Sequence, residues 1–130
     1  MKEYKNKKIL IFGGSGFLGK NLINRLDEFD YEIIVFSQKK FLEKNFFKYS
    51  PKKNLKIVSW SLDNLQSIEN HFLKVEAVIN LCGILYENKR GDFYRVHSDL
   101  PAILGKISSK YNVGNLIHIS ALGASEYSKS

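Results

Sequence analysis

Cysteine is almost missing from this sequence: Cys82 stands alone among 130 residues. A single thiol cannot close an internal disulfide, which fits a reducing compartment. Long apolar runs are missing as well. No stretch reaches the roughly 18 consecutive apolar residues that a membrane-crossing helix needs, so no transmembrane segment is expected. Nor is there an apolar signal core, because polar Met1–Lys8 leads into Ile9–Phe12 and then straight into glycines. These absences predict a soluble, cytoplasmic chain. Acids are the scarcer charge, 13 against 20 Lys and Arg, for a net +7. The basic clusters, Lys5–Lys8, Lys39–Lys40 and Lys52–Lys53, are short and lack interleaved aromatics. They read as a solvated surface, with no nucleic-acid partner. His71, His97 and His118 have no metal-ligand spacing, so no metal site is expected.

What is present is a core-forming composition, 44% hydrophobic, at the length of one domain. Short apolar runs alternate with helical patterns. Lys8–Phe12, Glu32–Phe36, Leu55–Trp60, Ala77–Leu81 and Leu116–Ile119 read as strands. Phe17–Phe29 and Asn64–Leu73 carry apolar residues at helical spacing. Phe41–Tyr49 reads as a short helix ended by Ser50–Pro51. Ile84–Gly91 and Ala121–Ser130 read as loops. Phe93–Tyr111 is helical by pattern but holds Pro101. Either the helix kinks there, or a turn precedes a helix capped by Ser98 or Asp99. The order predicts an α/β fold, a Rossmann-type doubly wound parallel sheet of about five strands with helices on both faces.

The strongest motif is Gly13-Gly14-Ser15-Gly16-Phe17-Leu18-Gly19, placed between a strand and a helix as a dinucleotide fingerprint requires. Two registers fit, one starting at Gly14 and a wider one at Gly13. In either, the first glycine turns the chain off the strand, Gly16 lets a pyrophosphate approach the backbone, and Gly19 lets the helix pack on the sheet. The helix amides and dipole then face the phosphates. A site for NAD usually has an acid about 20 residues on, at the end of strand two. Here that end is Phe36-Ser37-Gln38-Lys39-Lys40, with no acid. A hydroxyl, an amide and two cations suit a 2′-phosphate, which favours NADP, with NAD as the alternative.

The glycine segment, then Val78–Gly83, His97 and Leu116–Ala124, follow one pattern in order. They resemble atypical, extended short-chain dehydrogenases/reductases of the NAD-dependent epimerase/dehydratase superfamily. Within it they resemble the nucleotide-binding accessory subunit of respiratory complex I and its bacterial relatives. Ile117–Ala124 is the most specific part. The resemblance implies that Ser15, Gly16, Phe17 and Leu18 line the pyrophosphate, with Gly13 and Gly19 shaping the turn. Ser37 and Lys39 would face the adenosine ribose or its phosphate. Leu81, Cys82 and Gly83 would pass under the adenosine, and Ser120 would lie near the nicotinamide. Relatives place an acid after strand three for the adenine amine. That position holds Ser61, with Leu62 beside it, and Asp63 comes two residues later. Cys82 reads as a small packing residue rather than a nucleophile.

Active members of the superfamily use a Ser or Thr past strand five and a downstream Tyr-x-x-x-Lys. Here the Ser/Thr position is Leu122, Ser125 and Ser128 are out of register, and Tyr127 has no lysine four residues on. No catalytic residue is therefore assigned. Residues 1–130 read as the N-terminal, NAD(P)-binding part, ending before the C-terminal strands and the substrate-binding part. Two functions follow from the resemblance. One is a non-catalytic or weakly catalytic dinucleotide module linked to complex I subunits, cytoplasmic or peripheral at the inner face of the membrane. The other is the N-terminal half of an active NADP-dependent reductase or sugar-nucleotide epimerase/dehydratase.

Overall fold

Ile9, Leu10, Ile11 and Phe12 are all buried, but they serve two different cores. Side chains alternate across a strand, so Leu10 and Phe12 join one apolar cluster while Ile9 and Ile11 join another. A strand buried on both faces is what a parallel sheet with helices on each side produces. A computed structural model of the protein describes residues 7–13, 17–26, 28–37, 54–82 and 95–119. The segments 41–49, 84–91 and 121–130, and with them the short helix and the loops expected there, lie outside the described residues.

The strands are β1 (Lys7–Phe12), β2 (Tyr31–Ser37), β3 (Leu55–Ser59), β4 (Val75–Asn80) and β5 (Asn115–His118). They form one sheet in the order β3-β2-β1-β4-β5, and every pairing is parallel. This is the doubly wound order, with its reversal between β1 and β4. Helix α1 (Phe17–Leu26) covers one face, with Ile23 fully buried and Leu22 and Leu26 packed beside it. On the other face lie α2 (Gln66–Glu69) and α3 (Leu100–Lys110), which supply Ile68, Leu100, Leu104 and Ile107. Phe72, just past α2, joins them.

The helices depart from the sequence expectation in three places. Helix α1 stops at Leu26, and Phe29 is exposed against Tyr31 rather than on the helix face. Helix α2 has only four residues. Turns on both sides rotate Leu65 and Leu73 outward while Ile68 and Phe72 go in, and Lys74 at φ 58 takes the chain sharply into β4. Pro101 sits in the first turn of α3, where a missing N–H costs no helix bond. A π-helical turn, Arg95–Asp99, runs directly into α3. Asp99 is at the cap position but is itself helical and makes no capping bond through its side chain. The helix is continuous through that point, and the expected cap is not made by the Asp99 side chain.

The two helices of the second face are tied at one end. Glu69 accepts hydrogen bonds from Lys110 Nζ at 2.7 Å and Tyr111 Oη at 2.8 Å. These bonds hold the Glu69 carboxyl below its ordinary pKa. The pair is exposed, so its net contribution to stability is small.

Phe12 is the centre of the second face. Its ring stacks on Phe36 at 4.1 Å and meets Trp60 edge-on at 5.4 Å. Phe12→Ala removes both contacts and opens a cavity that the rigid strands cannot close. A loss of about 3–5 kcal/mol is expected, read as a lower urea midpoint at unchanged slope.

Candidate functional site: the crevice between β1 and β4

In open parallel sheets, ligands bind beyond the carboxyl ends of the strands, where the strand order reverses. Here that place is bounded by the exits of β1 and β4. The two exits are stitched together by Leu81 N–H, which donates to the Phe12 carbonyl at 2.7 Å. Gly13 follows with φ +83. A Cβ there would stand 2.8 Å from both the Cys82 nitrogen and the Leu81 carbonyl carbon. Those are backbone atoms and cannot swing aside. Gly13 is thus required twice, by its dihedral and by its neighbours.

Past the turn, the described chain resumes at Phe17, the first residue of α1. No acid occupies the first turn of α1, and Arg25 lies in its last turn. Both features suit a helix whose positive end faces an anion. Leu18 is about half exposed and Gly19 is buried. Ser15, Gly16, Lys39, Gly83 and Ser120 lie outside the described residues, as does the side chain of Phe17.

The remaining expected site residues line the same end of the sheet. Ser37 closes β2 and is buried, in register with Ser59. Leu81 and Cys82 form the β4 exit. Cys82 is half-buried against the second-face core, as expected of a packing residue. Burial pushes its thiol up to about 12. A neutral thiol is a poor nucleophile.

Beyond β3, Ser61 is committed to a local turn. Its Oγ accepts the Asp63 N–H at 3.1 Å, and its own N–H donates to Ser67 Oγ at 3.2 Å. Ser67 Oγ in turn donates to the Asn64 carbonyl at 2.6 Å. The Asp63 carboxylate accepts from Arg95 at 2.9 Å. Leu62 lines a groove of about 500 Å³ with Asp63, Arg95, Asp99, Ala102, Ile103 and Lys106. Its lining mixes three apolar side chains with four charged ones.

Two polar residues of the site were not picked out from the sequence. Asn80, the last residue of β4, is 1% exposed. Its Oδ1 accepts the Cys82 N–H at 3.1 Å, and its side-chain nitrogen lies 3.0 Å from His118 Nδ1. An amide inside the run Val78-Ile79-Asn80-Leu81 was the available signal, since a buried polar group must find partners. His118 itself is hydrogen-bonded but exposed. Arg95 is the second omission. His71 stands edge-on to Phe36 at 5.3 Å, and burial, then Lys56 and Lys8, lower its pKa. It is a neutral packing ring. Among the described residues, no three His, Cys, Asp or Glu side chains gather as metal ligands.

The turn at Gly13, the approach of two backbones and the acid-free helix start fit a pyrophosphate-bearing dinucleotide. Gly13→Ala should therefore destabilise the fold by about 2 kcal/mol or more and weaken dinucleotide binding, read by urea unfolding and by titration calorimetry. Cys82 should remain a thiol in the folded state. An unfolded cysteine ionises near about 8.5. The stability contributed by keeping Cys82 neutral is thus complete below that pH and is lost as pH rises towards 12. At pH 8, iodoacetamide should alkylate folded protein about a hundredfold or more slowly than urea-unfolded protein.

Comparison with known proteins agrees with this geometry. Residues 9–130 match the model of the NAD dependent epimerase/dehydratase family. The NADH-ubiquinone oxidoreductase 40 kDa subunit of Neurospora crassa is 26% identical over 114 residues, covering 88% of this chain and 30% of that protein. Subunit 9 of the NADH dehydrogenase (ubiquinone) 1 alpha subcomplex of Mus musculus is 27% identical over 121 residues, 92% of this chain and 32% of that protein. The chain therefore spans about a third of the curated relatives it matches. Among solved structures, the Bordetella bronchiseptica enzyme WbmG in complex with NAD superposes with a TM-score of 0.74 at 22% identity, over 89% of this chain and 38% of that one. Uronate dehydrogenase from Agrobacterium tumefaciens gives 0.69 at 16%, over 88% and 41%. No described helix is long and apolar enough to cross a membrane. The chain belongs to the NAD dependent epimerase/dehydratase family.

Proposed function

We propose that this chain is the dinucleotide-binding part of a protein that uses NADP(H) to stabilise an assembly, with little or no turnover of its own. The assembly is respiratory complex I, reached from the membrane surface on its cytoplasmic side. The observation that carries the binding half is the Gly13 turn seated on the Leu81–Cys82 backbone at the strand-order reversal. The assembly half is supported by the relatives named as NADH-ubiquinone oxidoreductase subunits. Residues 1–130 form the nucleotide-binding unit.

In this reading Ser15, Gly16, Phe17 and Leu18 contact the pyrophosphate, and Gly13 and Gly19 shape its cradle. Ser37 and Lys39 meet the adenosine ribose and a 2′-phosphate. Ser61 and Leu62 approach the adenine edge, Leu81 to Gly83 run beneath the adenosine, and Ser120 approaches the nicotinamide. The bound cofactor is a hydride carrier, but Leu122 has no hydrogen-bond donor in its side chain for a substrate carbonyl. Losing one such donor costs about a hundredfold or more in rate. What binding supplies is stability. A ligand at 100 times its Kd adds about 2.7 kcal/mol.

The alternative, an NADP-dependent reductase or sugar-nucleotide epimerase/dehydratase, is supported by the family to which the chain belongs. The two readings separate on turnover. Calorimetric titration should show NADPH binding more tightly than NADH. Lys39→Glu should reduce the NADPH preference about tenfold or more, the value of one charge-assisted phosphate contact. Cells lacking the protein should show less assembled complex I on native gels. Tighter binding of NADH would refute the NADP assignment. Steady NADPH oxidation with a defined sugar nucleotide, together with unaltered complex I, would establish the enzyme instead.

A further inference from the structure

The Asn80 side chain can be oriented without ambiguity. The Cys82 N–H can only donate, so the atom facing it at 3.1 Å is Oδ1. The amide nitrogen then faces His118 Nδ1 at 3.0 Å, and the ring nitrogen must accept. The neutral ring therefore carries its proton on Nε2. The main chain doubles the connection, because Ile119 N–H donates to the Asn80 carbonyl at 3.0 Å. Asn80 thus ties the end of β5 to the peptide beyond the end of β4.

That peptide is the seat of the Gly13 turn. The Cys82 nitrogen is one of the two atoms that would lie 2.8 Å from a Cβ at residue 13. A displacement of a few tenths of an ångström at Cys82 reaches Gly13 directly. The ladder bond from Leu81 to Phe12 ends one residue earlier, so Cys82 is held by a side chain where the sheet no longer holds it.

We propose that Asn80 and His118 are positioning residues for the dinucleotide crevice. Through the Cys82 amide they fix the backbone surface against which the phosphate-binding turn at Gly13 is built. The proposal rests on the reading of this crevice as a dinucleotide site. His118 acts through Asn80, and Asn80 acts through Cys82.

His118 is exposed, so its substitution leaves the core intact. His118→Ala removes the acceptor and frees the Asn80 amide. His118→Asn returns a short side-chain oxygen to the same position. Two readouts decide the matter: the amide proton and nitrogen resonances of Gly13 and Cys82, and the NADPH dissociation constant of the folded protein. His118→Ala should move both resonances and weaken NADPH about three- to tenfold, the effect of one hydrogen bond. His118→Asn should restore both. Asn80→Leu removes both the acceptor for Cys82 and the donor to His118. It should shift Gly13 and Cys82 at least as far as His118→Ala does, and combining the two should add little further. A purely structural role would lower the melting temperature and leave the affinity of folded protein unchanged. Unmoved Gly13 and Cys82 resonances in folded His118→Ala overturn the proposal, as does unchanged NADPH affinity. If wild-type protein binds neither NADPH nor NADH, the dinucleotide reading fails on its own. The resonances then still decide whether the clamp reaches Gly13.

Discussion

The close approach of two backbones, at Gly13 and at Leu81–Cys82, is the constraint on which the described structure turns. It requires β1 and β4 to be neighbours although the intervening chain makes two other strands. It also requires a residue without a Cβ at the one point where the chain leaves β1 at φ +83. The doubly wound order follows from that adjacency. With β1 fixed beside β4, β2 and β3 extend the sheet on one side and β5 on the other. The crevice is then a consequence of topology, because successive crossovers depart to opposite faces and leave the carboxyl ends uncovered between them.

The apolar sequence supports this arrangement unevenly. β1 and β2 are buried on both faces and carry continuous apolar runs. β5 pairs only with β4 among the described residues, and all four of its residues are exposed. It nevertheless reads Leu116-Ile117 like an interior strand. The hydrophobic pattern thus records how apolar a strand is, not how deeply it is buried in the described structure. The second face depends more on particular side chains. The stacked pair Phe12–Phe36, closed at its edges by Trp60 and His71, fills the space between the sheet and the short α2. A four-residue helix cannot stabilise itself. It is held by burying Ile68 and, just beyond it, Phe72.

Strands were legible because a short apolar run bounded by turn residues has one plausible reading in an alternating chain. The turn at Gly13 was legible for a similar reason: a glycine stands between a short apolar run and a helical pattern, and the structure has strand, turn and helix there. Helix ends were less legible. Leu65, Ile68, Phe72 and Leu73 have helical spacing, yet flanking turns send two of them outward. Spacing describes an ideal helix and carries no information about where tertiary contacts interrupt it. Pro101 left two options open, and the continuous π-turn and helix resolved them in a way that local capping chemistry does not encode. The site was partly legible. The absence of an acid at the end of β2 is plain from the sequence. The engagement of Ser61 in its own turn and of Asp63 with Arg95 depends on contacts 6 and 32 residues apart in the chain.

Asn80 shows why polar residues inside apolar runs carry more information than the runs do. An apolar side chain at the end of β4 could satisfy the core but would leave the Cys82 amide without the acceptor it has. A hydroxyl could reach one partner and would fall short of two. Asparagine carries an acceptor and a donor on one rigid plane, so a single side chain can bind a backbone N–H on its own strand exit and a ring nitrogen on the next strand. Burial at 1% exposure makes both bonds obligatory, because an unpaired amide there costs more than the bonds contribute. The cost of breaking the pattern thus maintains it, and it does so at the peptide on which the glycine turn rests.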